Sequence, residues 1–251
     1  SVSVEEGTTT VATYAATDAD DSAVVTYSVS GGADSTLFSV VSTTGALSFS
    51  TAPDYDLEDA CAAGNSCVVE LTASDTAATD TITVTIAITD ANDNAPVFSG
   101  YPLNGCSGYC STDSASVEEG ATTVGTYTAT DADVTTAHNT LTYEITGGAD
   151  ETLFSVVSST GAISFSTAPD YDSGTACAAG NSCVVELTVS DTEDTDTITV
   201  TVAITDANDQ APTYSGGDVT PSVTEGTTAV DSFTVVDTDS GDSNSCALGG
   251  A

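Results

Sequence analysis

The sequence predicts an all-β fold built as tandem seven-stranded Greek-key β-sandwiches. Three observations carry that prediction. The chain repeats itself at a long, nearly fixed period. Its apolar residues alternate with a period of two. Gly, Asp and Pro turns cut the alternating runs into short pieces. Roughly seven such pieces per hundred residues is the density of a Greek-key sandwich.

The repeat organises everything else. VEEG at 4–7 recurs at 117–120, and VTEG follows at 223–226. TDAD at 17–20 recurs at 130–133, an offset of 113. TLFSVV at 36–41 recurs at 152–157, and CAAGNSCVVELT at 61–72 recurs at 177–188. APDYD at 52–56 recurs at 168–172, an offset of 116. The offset grows because DADVTTAHNTLTY is three residues longer than DADDSAVVTY. The expected organisation is a first repeat at 1–93, a second at 94–209, and the start of a truncated third at 210–251. Both ends read as cuts through a longer array.

Within a repeat the elements follow in order. VVTYSV at 24–29 and LTYEI at 141–145 are short strands. LFSVV, STTG and ALSFS make a hairpin with Gly45 in its turn, and SSTG with Gly161 repeats it. DTITVTIAITD at 80–90 sets Ile82, Val84, Ile86 and Ile88 against Thr and Ala. DTITVTVAITD at 196–206 does the same with Ile198, Val200, Val202 and Ile204. Both read as half-buried antiparallel strands. Val, Ile, Thr and aromatic residues suit strands, and no stretch has helical spacing with caps.

The 251 residues include 38 Asp and Glu, one His, and no Lys or Arg. Ordinary usage gives roughly 30 Lys plus Arg in a chain this long. Without them no salt bridge to a strong cation forms, and clustered carboxylates must turn to water, backbone N–H groups or metal ions. Nucleic acid is excluded as a partner, because nothing here neutralises phosphates. Hydrophobic residues make up 39% of the chain, which supplies real cores and argues against disorder. No apolar run approaches the roughly 18–20 residues of a membrane span. No signal peptide opens the sequence.

Six of the seven Cys fall in tight pairs: Cys61 with Cys67, Cys106 with Cys110, and Cys177 with Cys183. No His lies near a pair, so short-loop disulfides are favoured over zinc sites. That implies an oxidising, extracellular setting. Cys246 is left over; either its partner lies beyond Ala251 or it is a free thiol.

The acids gather at strand ends. Glu6, Glu119 and Glu225 each lie twelve residues before an Asp: Asp18, Asp131 and Asp237. The residue before each of these Glu varies, as Glu5, Glu118 or Thr224, while the Glu itself never does. The same internal comparison selects Asp18/Asp20, Asp131/Asp133 and Asp237/Asp239. It also selects Asp54/Asp56 and Asp170/Asp172, Asp75 and Asp191, and the strings TDANDN and TDANDQ. Two carboxylates separated by one residue in an extended loop serve one centre. Six to eight hard oxygens at flexible geometry suit Ca²⁺, whereas Mg²⁺ keeps more water. The spacing is not that of a twelve-residue EF-hand loop, so distant parts of the chain must assemble the site.

VEEG, TDAD, PDYD, TASD or TVSD, and TDANDNAP, in this order and spacing, resemble the motifs of cadherin repeats. The resemblance covers the whole chain, and ATDAD, SGGAD and TAPDYD are most similar to cadherin-like repeats of large microbial surface proteins. PDYD departs from the family's L-D-x-E by carrying Asp at Asp56 and Asp172. The resemblance implies immunoglobulin-like, cadherin-type sandwiches with several Ca²⁺ ions at each junction. The first junction would use Glu6, Asp54, Asp56, Asp90, Asn92, Asp93 and Asn94, then Asp131, Asp133 and Asp191, with Asn139 giving a backbone carbonyl. Ala91 and Asn92 would add carbonyls. The second would use Glu119, Asp170, Asp172, Asp206, Asn208, Asp209, Asp237 and Asp239. There Gln210 replaces the last Asn of the motif. Asp18, Asp20 and Asp75 would face a preceding repeat. Asp93 to Glu119 is 26 residues where Asp209 to Glu225 is 16, and the surplus contains NGCSGYC. That insertion is either a lateral contact or a decoration.

Glu70 and Glu186 are outward strand positions, and His138 is expected as a surface-loop residue. Asn65, Asn181 and Asn244 do not begin ordinary glycosylation sequons. Acid pairs repeated in every unit do not suit an enzyme, and no Ser or Cys has a recognisable His partner. The function expected is a calcium-stiffened extracellular structural or adhesive rod, part of a long surface protein or filament. Its partners would be calcium and neighbouring repeats or other copies of itself. The alternatives are a self-assembling polymer completed by strand complementation at the third repeat, and an acidic, salt-adapted matrix coat.

Overall fold

In the computed structural model, described residues are 1–20, 24–58, 60–100, 111–216, 220, 222–229, 232–240 and 245–247. The first sandwich has strands β1 (Val2–Glu5), β2 (Thr10–Thr13), β3 (Thr26–Gly31), β4 (Phe38–Val40), β5 (Ala46–Phe49), β6 (Ser66–Ser74) and β7 (Thr79–Thr89). One sheet has the order β1-β7-β6-β3 and the other β2-β5-β4. Alternation along β7 puts Val84, Ile86 and Ile88 inward, where they meet Leu47, Phe49, Cys67, Val69 and Leu71. Most pairings are antiparallel, as expected, but β1 runs parallel to β7, with Val2 opposite Ile86 and Glu5 opposite Thr89. Glu6 is thereby delivered to the end of β7.

The second sandwich has β8 (Val97–Gly100), β9 (Thr112–Glu118), β10 (Thr123–Thr126), β11 (Thr128–Thr130), β12 (Thr142–Gly147), β13 (Phe154–Val157), β14 (Ala162–Phe165), β15 (Ser182–Ser190) and β16 (Thr195–Thr205). Its sheets are β12-β15-β16-β9 and β10-β14-β13, and β8 pairs with β11. Beyond them β17 (Thr213–Ser215) pairs antiparallel with β18 (Thr234–Val236). By spatial clustering, Asp131–Thr140 and Asp191–Asp194 group with Ser1–Pro96, and the other residues form a second unit.

The expected hairpins are present. β4 pairs with β5 and β13 with β14, each turning through a glycine, Gly45 or Gly161, at φ +71°. At Gly45 a Cβ would collide with the Tyr14 carbonyl, so the turn needs glycine for space as well as for φ. Two single-turn 3₁₀ helices, Ser35–Leu37 and Glu151–Leu153, interrupt the all-strand pattern.

Disulfides join Cys61 to Cys67 and Cys177 to Cys183. Cys106 and Cys110 lie outside the described residues. Cys246 is exposed and has no disulfide partner among the described residues. Each bridged loop is held by an acid absent from the expected set. Asp34 accepts the N–H of Ala62 at 2.6 Å and of Val68 at 2.7 Å; Asp150 accepts those of Ala178 and Val184 at 2.6 and 2.8 Å. Among the described residues no helix is long and apolar enough to cross a membrane.

Candidate metal centres in two acidic segments

The site around Asp90–Asn94 is built on Glu6. Its backbone N–H bonds the Thr89 carbonyl at 3.0 Å, which fixes it beside the end of β7. Oε1 accepts the Ala91 N–H at 2.8 Å, and Oε2 accepts the Tyr55 N–H at 2.5 Å. One buried carboxylate thus ties the acidic segment to the PDYD loop. Glu119 repeats the arrangement, accepting Ala207 N–H at 2.9 Å and Tyr171 N–H at 2.7 Å. This explains why internal comparison singles out that Glu over its neighbour.

Around this anchor, carboxylate oxygens lie within 4.8 Å of one another in three groups: Glu6, Asp56 and Asp93; Asp56, Asp90 and Asp133; and Asp131, Asp133 and Asp191. Asp56 and Asp133 each belong to two groups, so the three form a continuous row. Asp133 is 1% exposed and Asp191 fully buried. Asp191 holds its own turn by accepting the N–H of Glu193 and Asp194 at 2.9 and 2.8 Å. The turn residue Thr192 sits at φ +103°, and its counterpart Thr76 at +81°. Both are strained positions for a β-branched residue, and both adjoin an acid of the site.

Local turns order the remaining acids. Asp54 Oδ1 accepts the Asp56 and Leu57 N–H groups, and Asp131 Oδ1 accepts Asp133 N–H. The Asn92 amide lies 2.7 Å from Asp133 Oδ2 and 3.0 Å from Asp191 Oδ2. With its NH₂ turned to them it donates to both; with its oxygen turned to them it completes an all-oxygen set. Asn94 is expected as a ligand, yet its side chain presents nitrogen to the acids. Its Nδ2 shares its two N–H protons among Asp56 Oδ2 at 2.6 Å, Asp133 Oδ1 at 2.9 Å and Asp93 Oδ1 at 3.0 Å. Asn139 is half-buried, and its N–H bonds the Thr135 carbonyl at 3.0 Å.

His138 stands in the expected loop with its side chain 27% exposed, and it makes one contact that the loop reading does not foresee. Its Nδ1 lies 3.0 Å from Asp90 Oδ2, an oxygen that also accepts the Thr135 hydroxyl. The inserted DADVTTAHN loop folds back onto the acidic segment, and no local sequence pattern reveals that contact.

The second site gathers Glu119, Asp170 and Asp172 within the same reach. Asp170 Oδ1 accepts Ser173 N–H at 3.0 Å. Asp206 Oδ2 accepts Ser240 N–H, Asp209 Oδ1 accepts the Gln210 amide at 2.8 Å, and Asp237 Oδ1 accepts Asp239 N–H at 3.2 Å. Buried Asp239 accepts the Gln210 backbone N–H at 3.0 Å. Asn208 lies in the same segment. A third group, Asp18, Asp20 and Asp75, is more open to solvent. There backbone N–H groups of Ala78 and Ala77 hold the Asp75 carboxyl below its usual range.

The electrostatics of the two main sites are unfavourable as they stand. Burial, then repulsion from Glu6, Asp90 and Asp133, raises the Asp56 carboxyl to about 6 against the pull of the Val134 N–H. Burial, then Glu119, Asp239, Asp206 and Asp209, raises Asp172 to about 6 as well. Asp93, Asp131 and Asp239 are raised mainly by burial. Asp90 Oδ1, Asp131 Oδ2, both Asp172 oxygens and Asp206 Oδ1 are buried and accept no hydrogen bond from the described residues. Buried oxygens without a donor are costly.

The cadherin-domain family model matches residues 113–223. The chain carries cadherin repeats. Similar curated proteins include Cadherin EGF LAG seven-pass G-type receptor 2 of Mus musculus, 31% identical over 224 residues that cover 85% of this chain. The Homo sapiens protein of that name is 30% identical over 224 residues. This cadherin chain spans 7% of the length of those relatives. Among solved structures, mouse cadherin-23 EC22–24 superposes with a TM-score of 0.69 at 22% identity, covering 96% of this chain and 75% of that one. Human CDH23 EC21–23 gives 0.66 at 21%, covering 96% and 78%. These likenesses establish the cadherin fold. Cadherin domains are extracellular adhesion and structural modules.

Proposed function

We propose that this chain is a calcium-stiffened stretch of an extracellular rod of cadherin repeats, a structural and adhesive part of a longer surface protein or filament. Its repeats are 1–93, 94–209 with the Cys106–Cys110 insertion, and 210–251. One observation supports the reading above all others: buried carboxylate oxygens with no donor among the described residues, in a chain without Lys or Arg.

The donor set suits the hard cation Ca²⁺, because it consists of carboxylate, amide and backbone oxygens. Zinc favours nitrogen and sulfur, and only one His stands near either site. When bound, Ca²⁺ supplies two positive charges shared among six to eight oxygens. The chain supplies the rest. Glu6 and Glu119 hold the acidic segments against the PDYD loops. Asp56 and Asp133 link neighbouring groups of the row. The Asn92 amide turns its oxygen inward once a cation replaces the need for a donor. Without the cation the row repels itself and the segments loosen.

Extracellular modules bind calcium at about 10⁻⁴–10⁻³ M. Calorimetric titration of metal-stripped protein should show binding in that range, with a higher Tm on saturation. Small-angle scattering should report a stiffer particle with calcium than after chelation. If neither Tm nor scattering responds to calcium, the reading is wrong.

A further inference from the structure

Among Asp90–Asn94 and Asp206–Gln210 the two acidic segments differ at one residue, and its consequence is visible in hydrogen bonding. Asn94 Nδ2 donates to Asp56, Asp133 and Asp93 at 2.6, 2.9 and 3.0 Å. Those oxygens only accept, so NH₂ is the end of the amide that fits among them. Gln210 stands at the equivalent position. Among the described residues its Nε2 donates only to its neighbour Asp209, at 2.8 Å, and its backbone N–H reaches Asp239. The effect falls on equivalent acids. Asp56 has both oxygens occupied, one by Asn94 and one by the Val134 N–H at 3.1 Å. Asp172, its counterpart, has both oxygens buried and accepts no hydrogen bond from the described residues.

We infer that Asn94 is a positioning residue that cross-links three carboxylates of the first segment before any ion binds, and that Gln210 leaves the second segment without this brace. The inference rests on the calcium reading for its ion-dependent part. The physical cause is reach. The short Asn94 amide reaches Asp93 beside it and Asp56 and Asp133 from distant loops, whereas the extra methylene of Gln lengthens the side chain and adds rotamer freedom. Hydrogen bonds to charged acceptors are the strong ones, and the two N–H protons of the amide, shared among three carboxylate oxygens, partly offset the repulsion within the row. The first segment is therefore preorganised for a cation, and the second is ordered by it.

Hydrogen exchange on the full chain, followed in peptides spanning 89–98 and 205–214, tests this. In metal-stripped protein the first segment should exchange about tenfold more slowly than the second. Asn94→Gln should erase that difference. It should also raise the calcium concentration that protects 89–98, leaving 205–214 and the β15–β16 amides unchanged. Gln210→Asn should slow exchange at 205–214 in metal-stripped protein by several-fold. Because that variant adds a brace, misfolding cannot mimic its success. Equal exchange of the two segments in stripped parent protein, or no slowing by Gln210→Asn, overturns the inference. If calcium protects neither segment, the calcium reading fails, while the stripped-protein arms still decide on the brace.

Discussion

Asp56 and Asp172 are the residues at which sequence, burial and charge meet most directly. Each is an Asp where the family motif has Glu, and each is raised from 3.8 to about 6 in the ion-free chain. In the unfolded chain both revert to ordinary carboxyls. Between pH 4 and pH 6 the folded state therefore binds more protons, and stability falls as pH rises through that window. Metal-stripped protein should melt at a higher temperature at pH 5 than at pH 7. Saturating calcium should reverse the order, because protons then compete with the ion for the same oxygens. Thermal melts at the two pH values, with and without calcium, check both halves. Glu6 and Glu119 were legible from sequence alone, since only that member of the acidic pair recurs three times. His138 and the Asn94 amide were not, because their roles depend on which atoms face them across the fold.

At the scale of the strand, β7 and β16 share the same alternation and yet are not equally covered. Ile198 is fully buried, whereas Ile82, its counterpart, is 42% exposed. The difference comes from β8. Phe98 enters the second core, its ring 6.2 Å from that of Tyr143, and its N–H bonds Asp196 at 3.0 Å. In the first sandwich Tyr14, Tyr27, Leu71 and Ile82 instead line an open cavity of about 320 Å³. Ile198→Ala should cost about 3 kcal/mol and Ile82→Ala about 1 kcal/mol, since the cost follows the burial lost and the cavity left. Urea unfolding of the two variants measures the contrast. Strand period predicts which side of β7 and β16 faces inward; the cover over that side of β16 comes from a separate strand, β8.

Across the whole molecule, a net charge of −38 with no strong cation sets the response to salt. Sodium chloride screens exposed acids over roughly 10 Å at 0.1 M but reaches buried ones much less. Metal-stripped protein should therefore gain some stability with added NaCl. Even about 1 M NaCl should not match the Tm reached with a few millimolar calcium. Differential scanning calorimetry across both titrations separates general screening from binding at the buried rows. Equal plateaus in the two titrations would count against specific sites.

The sequence by itself determined the sandwich repeats, the hairpin glycines, the Cys61–Cys67 and Cys177–Cys183 loops and the recurrence of acids at strand ends. These features are written locally, in a period of two, in turn chemistry and in internal repetition. Only the tertiary structure decided which acids are buried, and that Asp191 joins Asp131 and Asp133 beside an asparagine a hundred residues earlier. It also decided that Asn94 braces its segment while Gln210 does not. Burial and hydrogen-bond partners depend on what distant chain segments bring to the same place, and spacing along one strand or loop carries no record of that.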